Sequence, residues 1–269
     1  MAVAGAGLLT GLYSWQIEPR WVEFSHRDLP IAYLPTHLDG RLLVQISDMH
    51  LTDRYDWHYQ LEIMRVVQAL EPDFVLYTGD FITYESGQQY TQLRQVREVM
   101  PRGRLGTAAI LGNHDYGRGW NHPEIAHHIA QLLTDVGITM LRNEMEEFSG
   151  LHIVGLDDFW GTNYAPEAIL ADIKADAPTL VLCHNPDVAD QPVWSNYQGW
   201  ILAGHTHGGQ VKPPFLPPPL LPVANKRYTS GVFTVGNGRF LYINRGLGNL
   251  WPVRFNARPE VSLFQLTPT

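Results

Sequence analysis

The sequence predicts an α/β protein in which a largely parallel sheet is followed by a second, more antiparallel one. Three observations carry that prediction. Five short, mostly apolar runs recur along the chain: RLLVQIS (41–47), FVLYTG (74–79), TAAILG (107–112), TLVLC (179–183) and GWILAG (199–204). Runs of this length and character suit strands covered on both faces. Helix-like stretches separate several of them, and strand–helix–strand alternation implies crossover connections in a parallel sheet. The last third changes character: beyond a proline-rich stretch lie short strand candidates at 231–235, 240–244 and 261–266, expected to form the second sheet.

Residues 1–12 (MAVAGAGLLTGL) are apolar but too short to span a bilayer, which takes about 20 residues. The first cationic side chain is Arg20, so the basic start of a signal peptide is missing. Residues 1–39 therefore read as an N-terminal segment, either a first helix or the remnant of a trimmed anchor or export signal, ahead of a single domain over 40–269. Apolar side chains at Trp57, Leu61, Met64, Val67 and Leu70 follow a helical spacing, and Pro72 marks the stop. Residues 91–100 read as a second helix closed by Pro101, 123–136 as a third with Gly137 past its end, and 166–175 as a fourth. The prolines of 213–222 (PPFLPPPLLP) exclude a helix interior or a central strand and leave an ordered excursion loop.

Composition narrows the function classes. Among 269 residues, 45% are hydrophobic and 17% charged, enough for a sizeable core and too little charge for a disordered chain. The formal net charge of −8 argues against non-specific nucleic-acid binding. Cys183 is the single cysteine, so no intramolecular disulfide and no thiolate zinc cluster can form; it reads as a small core residue. The 12 histidines point instead to imidazole ligation.

Each apolar run ends in a polar residue: Asp48, Asp80, Asn113, His184 and His205. In open α/β sheets ligands bind beyond the carboxyl ends of the strands, so these residues can converge although far apart in sequence. In an extended segment residues two apart point the same way, which lets Asp48 and His50 reach one cation; taken alone, the pair reads first as a loop acid beside a surface histidine. His205-Thr206-His207 repeats that geometry among Gly204, Gly208 and Gly209, where the backbone can turn sharply. A carboxylate such as Asp80 can bridge two metals, although by itself a strand-end Asp is more often a turn former. Asn113, His114 and Asp115 also suit an ordinary turn, and His184 alone suits a hydrogen-bonded strand end.

Together, DxH at 48–50, GD at 79–80, GNHD at 112–115, His184 and GHTH at 204–207 resemble the calcineurin-like metallophosphoesterase superfamily over residues 40 to 267. LCHNPD (182–187), GHTHGGQ (204–210), KRY (226–228), RGLG (245–248), RPE (258–260) and EPRW (18–21) further resemble the bacterial YaeI/YkuE-like phosphodiesterase subgroup. The resemblance implies a four-layer sandwich of two mixed β-sheets flanked by α-helices. It makes Asp48, His50 and His207 ligands of one metal, Asn113, His184 and His205 ligands of a second, and Asp80 the bridge. His114 would face the substrate phosphate and leaving group. Thr83 stands where purple acid phosphatases carry a ligating Tyr and where serine/threonine phosphatases carry an acid that orients the catalytic His. Either Asp115 takes that orienting role or no residue does.

The implied chemistry is hydrolysis of phosphodiesters or related phosphoesters by a metal-bridging hydroxide, with His114 assisting the leaving group. Nitrogen and oxygen donors without thiolate suit Mn, Fe or Zn. Expected partners are small-molecule or lipid phosphoesters rather than nucleic acid, with a cytoplasmic or membrane-associated location. Competing readings are a lipid-linked pyrophosphate hydrolase of the UDP-diacylglucosamine type and, from another class, a metal-free binding scaffold. Arg245 is a candidate to grip a phosphate oxygen bidentately, against an equal claim to a structural role. Asp157 and Asp158 read as a turn, and Trp160 as either a cleft wall or core. Leu216, Leu220 and Leu221 are open to lipid contact or to packing on the protein's own surface.

Overall fold

Alternation of apolar side chains along the strands explains why this chain needs two sheets and two outer coverings. The computed structural model describes residues 2–269. Helix α1 (Ala2–Leu12) runs through short turns over Tyr13–Ile17 and Glu18–Arg20 into strand β1 (Glu23–Ile31). There follow β2 (Leu42–Ile46), α2 (Tyr59–Ala69), β3 (Phe74–Thr78), α3 (Gln88–Arg97), β4 (Gly106–Ile110), α4 (Pro123–Thr134) and β5 (Thr139–Met140). The second half comprises β6 (Glu144–Phe148), β7 (Leu151–Gly155), α5 (Glu167–Ala171), β8 (Thr179–Leu182), β9 (Gly199–Ala203), β10 (Gly231–Gly236), β11 (Arg239–Ile243) and β12 (Glu260–Pro268).

The first sheet has the order β1-β12-β2-β3-β4-β5 and the second β10-β11-β9-β8-β7-β6. Both are mixed. In the first, only β12 against β2 is antiparallel; in the second, the edge pairs β10–β11 and β6–β7 are antiparallel around a parallel centre. Side chains alternate between faces along each strand. Leu43, Leu76 and Ile110 of the first sheet meet Leu151, Leu180 and Leu202 of the second in a central apolar layer. Val44, Val75 and Ala109 point the other way, onto Met64, Val67, Leu93, Val96 and Ile129 of α2, α3 and α4. The outer face of the second sheet, through Val181, Ile201 and Leu241, is covered by Leu170 of α5 and by loop residues such as Val188, Trp194 and Tyr228. The sandwich expected from the resemblance is therefore present, with one helical side much thinner than the other.

Several expectations need correcting. The five apolar runs do not share one parallel sheet: β2, β3 and β4 belong to the first and β8 and β9 to the second. Nor do the three late strands stay together. β10 and β11 extend the second sheet, while β12 inserts between β1 and β2 in the first. The reason is apolar burial on both of its faces: Leu266 and Phe264 enter the central layer and Val261 and Leu263 the helical one. Strand β1 pairs with β12 over its whole length, from Glu23 against Glu260 to Ile31 against Pro268, so the sheet begins well before residue 40. Helix α5 is half the length predicted for 166–175. Among the described residues no helix is long and apolar enough to cross a membrane.

Candidate metal centre

The candidate ligands lie just beyond the ends of β2, β3, β4, β8 and β9, on both sheets. Strand β2 ends at Ile46, and the DxH segment does not continue it. Asp48 and His50 have φ of 52° and 45°, Asp80 57°, and His205 and His207 71° and 52°. Five of the seven candidate ligands thus adopt the left-handed backbone that L-residues with bulky side chains rarely hold. Alternation along an extended strand is not what aims Asp48 and His50 at one point; a left-handed backbone at each of the two is. Conformations of this kind cost of order 1–3 kcal/mol each and persist only where the surroundings over-determine them.

The surroundings do so here. Asp48 N–H donates to the Gly79 carbonyl (2.9 Å) and His50 N–H to the Asp80 carbonyl (3.0 Å), which ties the two loops together. The Asp48 carboxylate accepts from His205 N–H (3.0 Å) and from the Ser47 hydroxyl (2.5 Å). Asp115 accepts backbone N–H bonds from Asp80, Phe81 and Gly112 at 2.9 Å and from Ile82 at 3.2 Å. It therefore fastens the β3 loop to the β4 loop, and all these bonds go to backbone rather than to His114. Glycines are required at the closest approaches. A Cβ on Gly204 would collide with Ser47 and Asp48, and one on Gly112 with Asp80.

The side chains converge on three overlapping clusters, Asp48–His50–His207, His50–Asp80–His114 and Asp80–His184–His205. His207 Nε2 lies 3.3 Å from Asp48 Oδ1 and 3.0 Å from His50 Nε2. Asp80 Oδ2 lies 3.4 Å from His50 Nε2 and 3.0 Å from His184 Nε2, so one carboxylate stands between the two halves. Its other oxygen accepts from His114 N–H (2.8 Å). The far ring nitrogens are also engaged. His50 Nδ1 meets the Thr83 hydroxyl (2.8 Å), and His184 Nδ1 donates to the Thr78 carbonyl (2.7 Å). His205 Nε2 donates to the Pro222 carbonyl (2.8 Å), which leaves its Nδ1 facing the cluster, 3.2 Å from His184 Nε2. Partners of this kind set the tautomer and orientation of metal-ligating imidazoles.

Asn113 supplies the test of whether cations fit. Its side chain is fully buried, yet neither Oδ1 nor Nδ2 has a hydrogen-bond partner. Leaving a buried amide unpaired costs about 1–3 kcal/mol, so Oδ1 in particular calls for a partner the protein itself does not provide. The charge states of Asp48, Asp80, His205 and His207 agree. Burial works to raise the pKa of both aspartates, but His207, His50 and His184 hold Asp48 below the usual carboxylate range, and His184, His114 and His50 do the same for Asp80. Burial, with His184 adding to it, pushes His205 down to about 3, and burial likewise lowers His207. His184 goes the other way, because Asp80 and Asp48 outweigh its burial. Ionised carboxylates and neutral imidazoles are the forms that bind metal.

A family model described as calcineurin-like phosphoesterase matches residues 42–209, from β2 to just past the second histidine of GHTH and more than half of the chain. The chain belongs to the calcineurin-like phosphoesterase family. The chain is 33% identical to the metallophosphoesterase YkuE of Bacillus subtilis, over 96% of this chain and 90% of that protein. It is 31% identical to the phosphodiesterase YaeI of Escherichia coli, over 94% and 92%. The UDP-2,3-diacylglucosamine pyrophosphatase LpxG of Chlamydia muridarum is 26% identical over 98% and 95%. As a calcineurin-like phosphoesterase the protein is a metal-dependent hydrolase, and its clustered Asp and His side chains suit two divalent ions.

Of the residues expected from sequence, the six acidic and imidazole ligand candidates and His114 come together in the clusters, and Asn113 lies next to His114 at the end of β4. Arg245 does not join them. Its Nη2 and Nε each lie 3.0 Å from carboxylate oxygens of Glu23 and Glu260 on β1 and β12, a pairing that suits the structural one of its two expected roles. Asp157 is more than a turn residue, for it is buried and accepts from Tyr116 (2.6 Å), Arg142 (2.8 Å) and Asn163 (2.7 Å). The sequence reading passed over Thr83 as a partner of His50, although it had singled out that position. It missed Arg254 altogether, a fully buried guanidinium that donates to the carbonyls of Arg245, Gly246, Gly248 and Ala257 and stands 3.3 Å behind His207 Nδ1. Nothing in the local sequence distinguishes that arginine from a surface one.

Proposed function

We propose that the protein hydrolyses phosphodiesters or related phosphoesters at a dinuclear centre. Asp48, His50 and His207 would hold one ion, Asn113, His184 and His205 the other, and Asp80 both. The observation that carries this reading is the buried, unpartnered Asn113 amide beside three overlapping acid–imidazole clusters. When bound, two divalent ions would activate water and offset the charge of a phosphate, and Mn, Fe and Zn all match the nitrogen and oxygen donors. The protein contributes preorganisation: Asp115 and the backbone bonds between loops fix the donors before any ligand arrives.

His114 is the residue proposed to meet the leaving group. Its ring is partly open and sits edge-on to His50 at 5.0 Å between centroids. Burial pushes its pKa down to about 4. The ring is therefore neutral at pH 7 and acts as an N–H donor to the departing oxygen, not as a stored imidazolium acid. Metal analysis after dialysis tests the ligand set. Wild type should hold two ions per chain and Asp80→Asn fewer than one; unchanged loading in the variant would remove Asp80 as the bridge.

A second reading concerns the substrate class. Leu8, Leu9, Leu12, Trp15, Ile17 and Trp21 are exposed, as are Trp251, Phe215, Leu216 and Leu220. Ser14 accepts a backbone bond from Arg254 (2.9 Å), so this apolar segment docks beside the site. Together with the likeness to LpxG, that surface favours a lipid-linked pyrophosphate as the alternative substrate. Cleavage of an acylated nucleotide-sugar diphosphate but not of its deacylated form would establish it, and equal cleavage would dismiss it.

A further inference from the structure

Two tryptophans form a slab against the same site. The rings of Trp120 and Trp160 stack with centroids 4.7 Å apart and 15° between planes. Trp160 meets the ring of His205 edge-on at 4.6 Å. Trp120 stands 6.4 Å from the ring of His114, again at a steep angle. The slab therefore runs from the candidate ligand His205 to the residue proposed to meet the leaving group, and both indoles are only partly buried.

The slab is also held in place. Trp120 has φ of 60°, rare for a bulky residue, and its N–H donates to the Gly117 carbonyl (3.1 Å). The Trp160 N–H donates to Asp158 (2.9 Å). The two loops are joined behind the indoles: the Tyr116 hydroxyl donates to Asp157 (2.6 Å), Arg142 bonds both, and Gly161 seats where any Cβ would strike the Tyr116 ring. A pair needed only for packing would sit inside the core. This one is braced from behind and left partly exposed beside His114 and His205.

Resting on the phosphoesterase reading above, we infer that Trp120 and Trp160 form the wall that receives the leaving group. The site then prefers phosphoesters whose leaving oxygen is carried by a flat ring over those with a flexible chain. Stacking on an aromatic side chain is strong enough for roughly a tenfold preference.

The test compares phenyl methylphosphonate with n-hexyl methylphosphonate, which have equal carbon counts and unequal flatness, by calorimetry on Mn²⁺-loaded protein. Wild type should bind the phenyl compound about tenfold more tightly. Trp160→Ala should bring the ratio near one, and Trp160→Phe should keep most of it. A ratio near one in wild type, or one unchanged in Trp160→Ala, overturns the wall and leaves the phosphoesterase reading standing. Binding of neither compound to protein with two ions loaded overturns both. If Trp160→Ala loses its metals, Trp120→Leu reads the same ratio from the other half of the slab.

Discussion

On the floor of the site, Asp48, His50, Asp80, His205 and His207 all hold left-handed backbone, and their loops are bonded to one another and to Asp115. On the rim, Phe215, Leu216, Leu220 and Trp251 face solvent, and Arg245 is engaged with Glu23 and Glu260. The floor spends backbone strain and hydrogen bonds on aiming a few donors. The rim leaves apolar surface uncommitted. Chemistry should therefore be sensitive to small changes on the floor and tolerant of larger ones on the rim, and substrate preference should show the reverse.

The largest effect expected from that contrast is at His114. His114→Asn should keep both ions and lower turnover of an ester with a poor leaving group about 10²–10³-fold, with a much smaller loss for p-nitrophenyl esters. Equal losses for both would put His114 outside leaving-group departure. The pH dependence sharpens the point. With its pKa held near 4 by burial, the His114 ring stays neutral from well below pH 7 upwards. The acid limb of kcat/KM should therefore lie at the same pH in wild type and in His114→Asn. A limb near the ordinary histidine value of about 6.5 that vanishes in the variant would mean that the ring works as an imidazolium.

A smaller effect is expected at Thr83, which touches His50 without facing the cluster. Thr83→Val keeps the shape, removes the bond to His50 Nδ1, and should weaken metal binding about 10–100-fold. Competition with a chelator measures this, and unchanged affinity would mean that His50 is aimed by its backbone alone. The smallest effect belongs to the rim. Arg245→Met should change kcat/KM for a small diester less than about threefold, well under the 1.4 kcal/mol that a tenfold change represents. Its cost should appear in thermal stability through the lost pairing of β1 with β12. A large rise in KM instead would return Arg245 to substrate binding.

The floor was legible in the sequence because its donors follow strand-like apolar runs, and several sit beside a glycine, as in GD at 79–80, GNHD at 112–115 and GHTH at 204–207. The ligand types and their convergence could be read, but the reason for convergence could not. Positive φ at His50 or His207 has no decisive local signature, since histidine, though enriched in left-handed turns, adopts them only in a small minority of cases. The assignment of strands to sheets was hidden for a similar reason. Residues 260–268 are apolar enough for either sheet, and their partner β1 lies more than 230 residues away in sequence. Arg254 and the Trp120–Trp160 slab depend on contacts between loops 40 or more residues apart, which no periodicity encodes.

The central claim is tested most directly by the hydrolysis of bis-p-nitrophenyl phosphate and p-nitrophenyl phosphate after chelation and again after Mn²⁺ is restored. Activity lost on chelation, recovered with the metal and greater on the diester is the predicted result. A chelated protein that binds no added metal and hydrolyses neither ester would contradict a dinuclear phosphodiesterase.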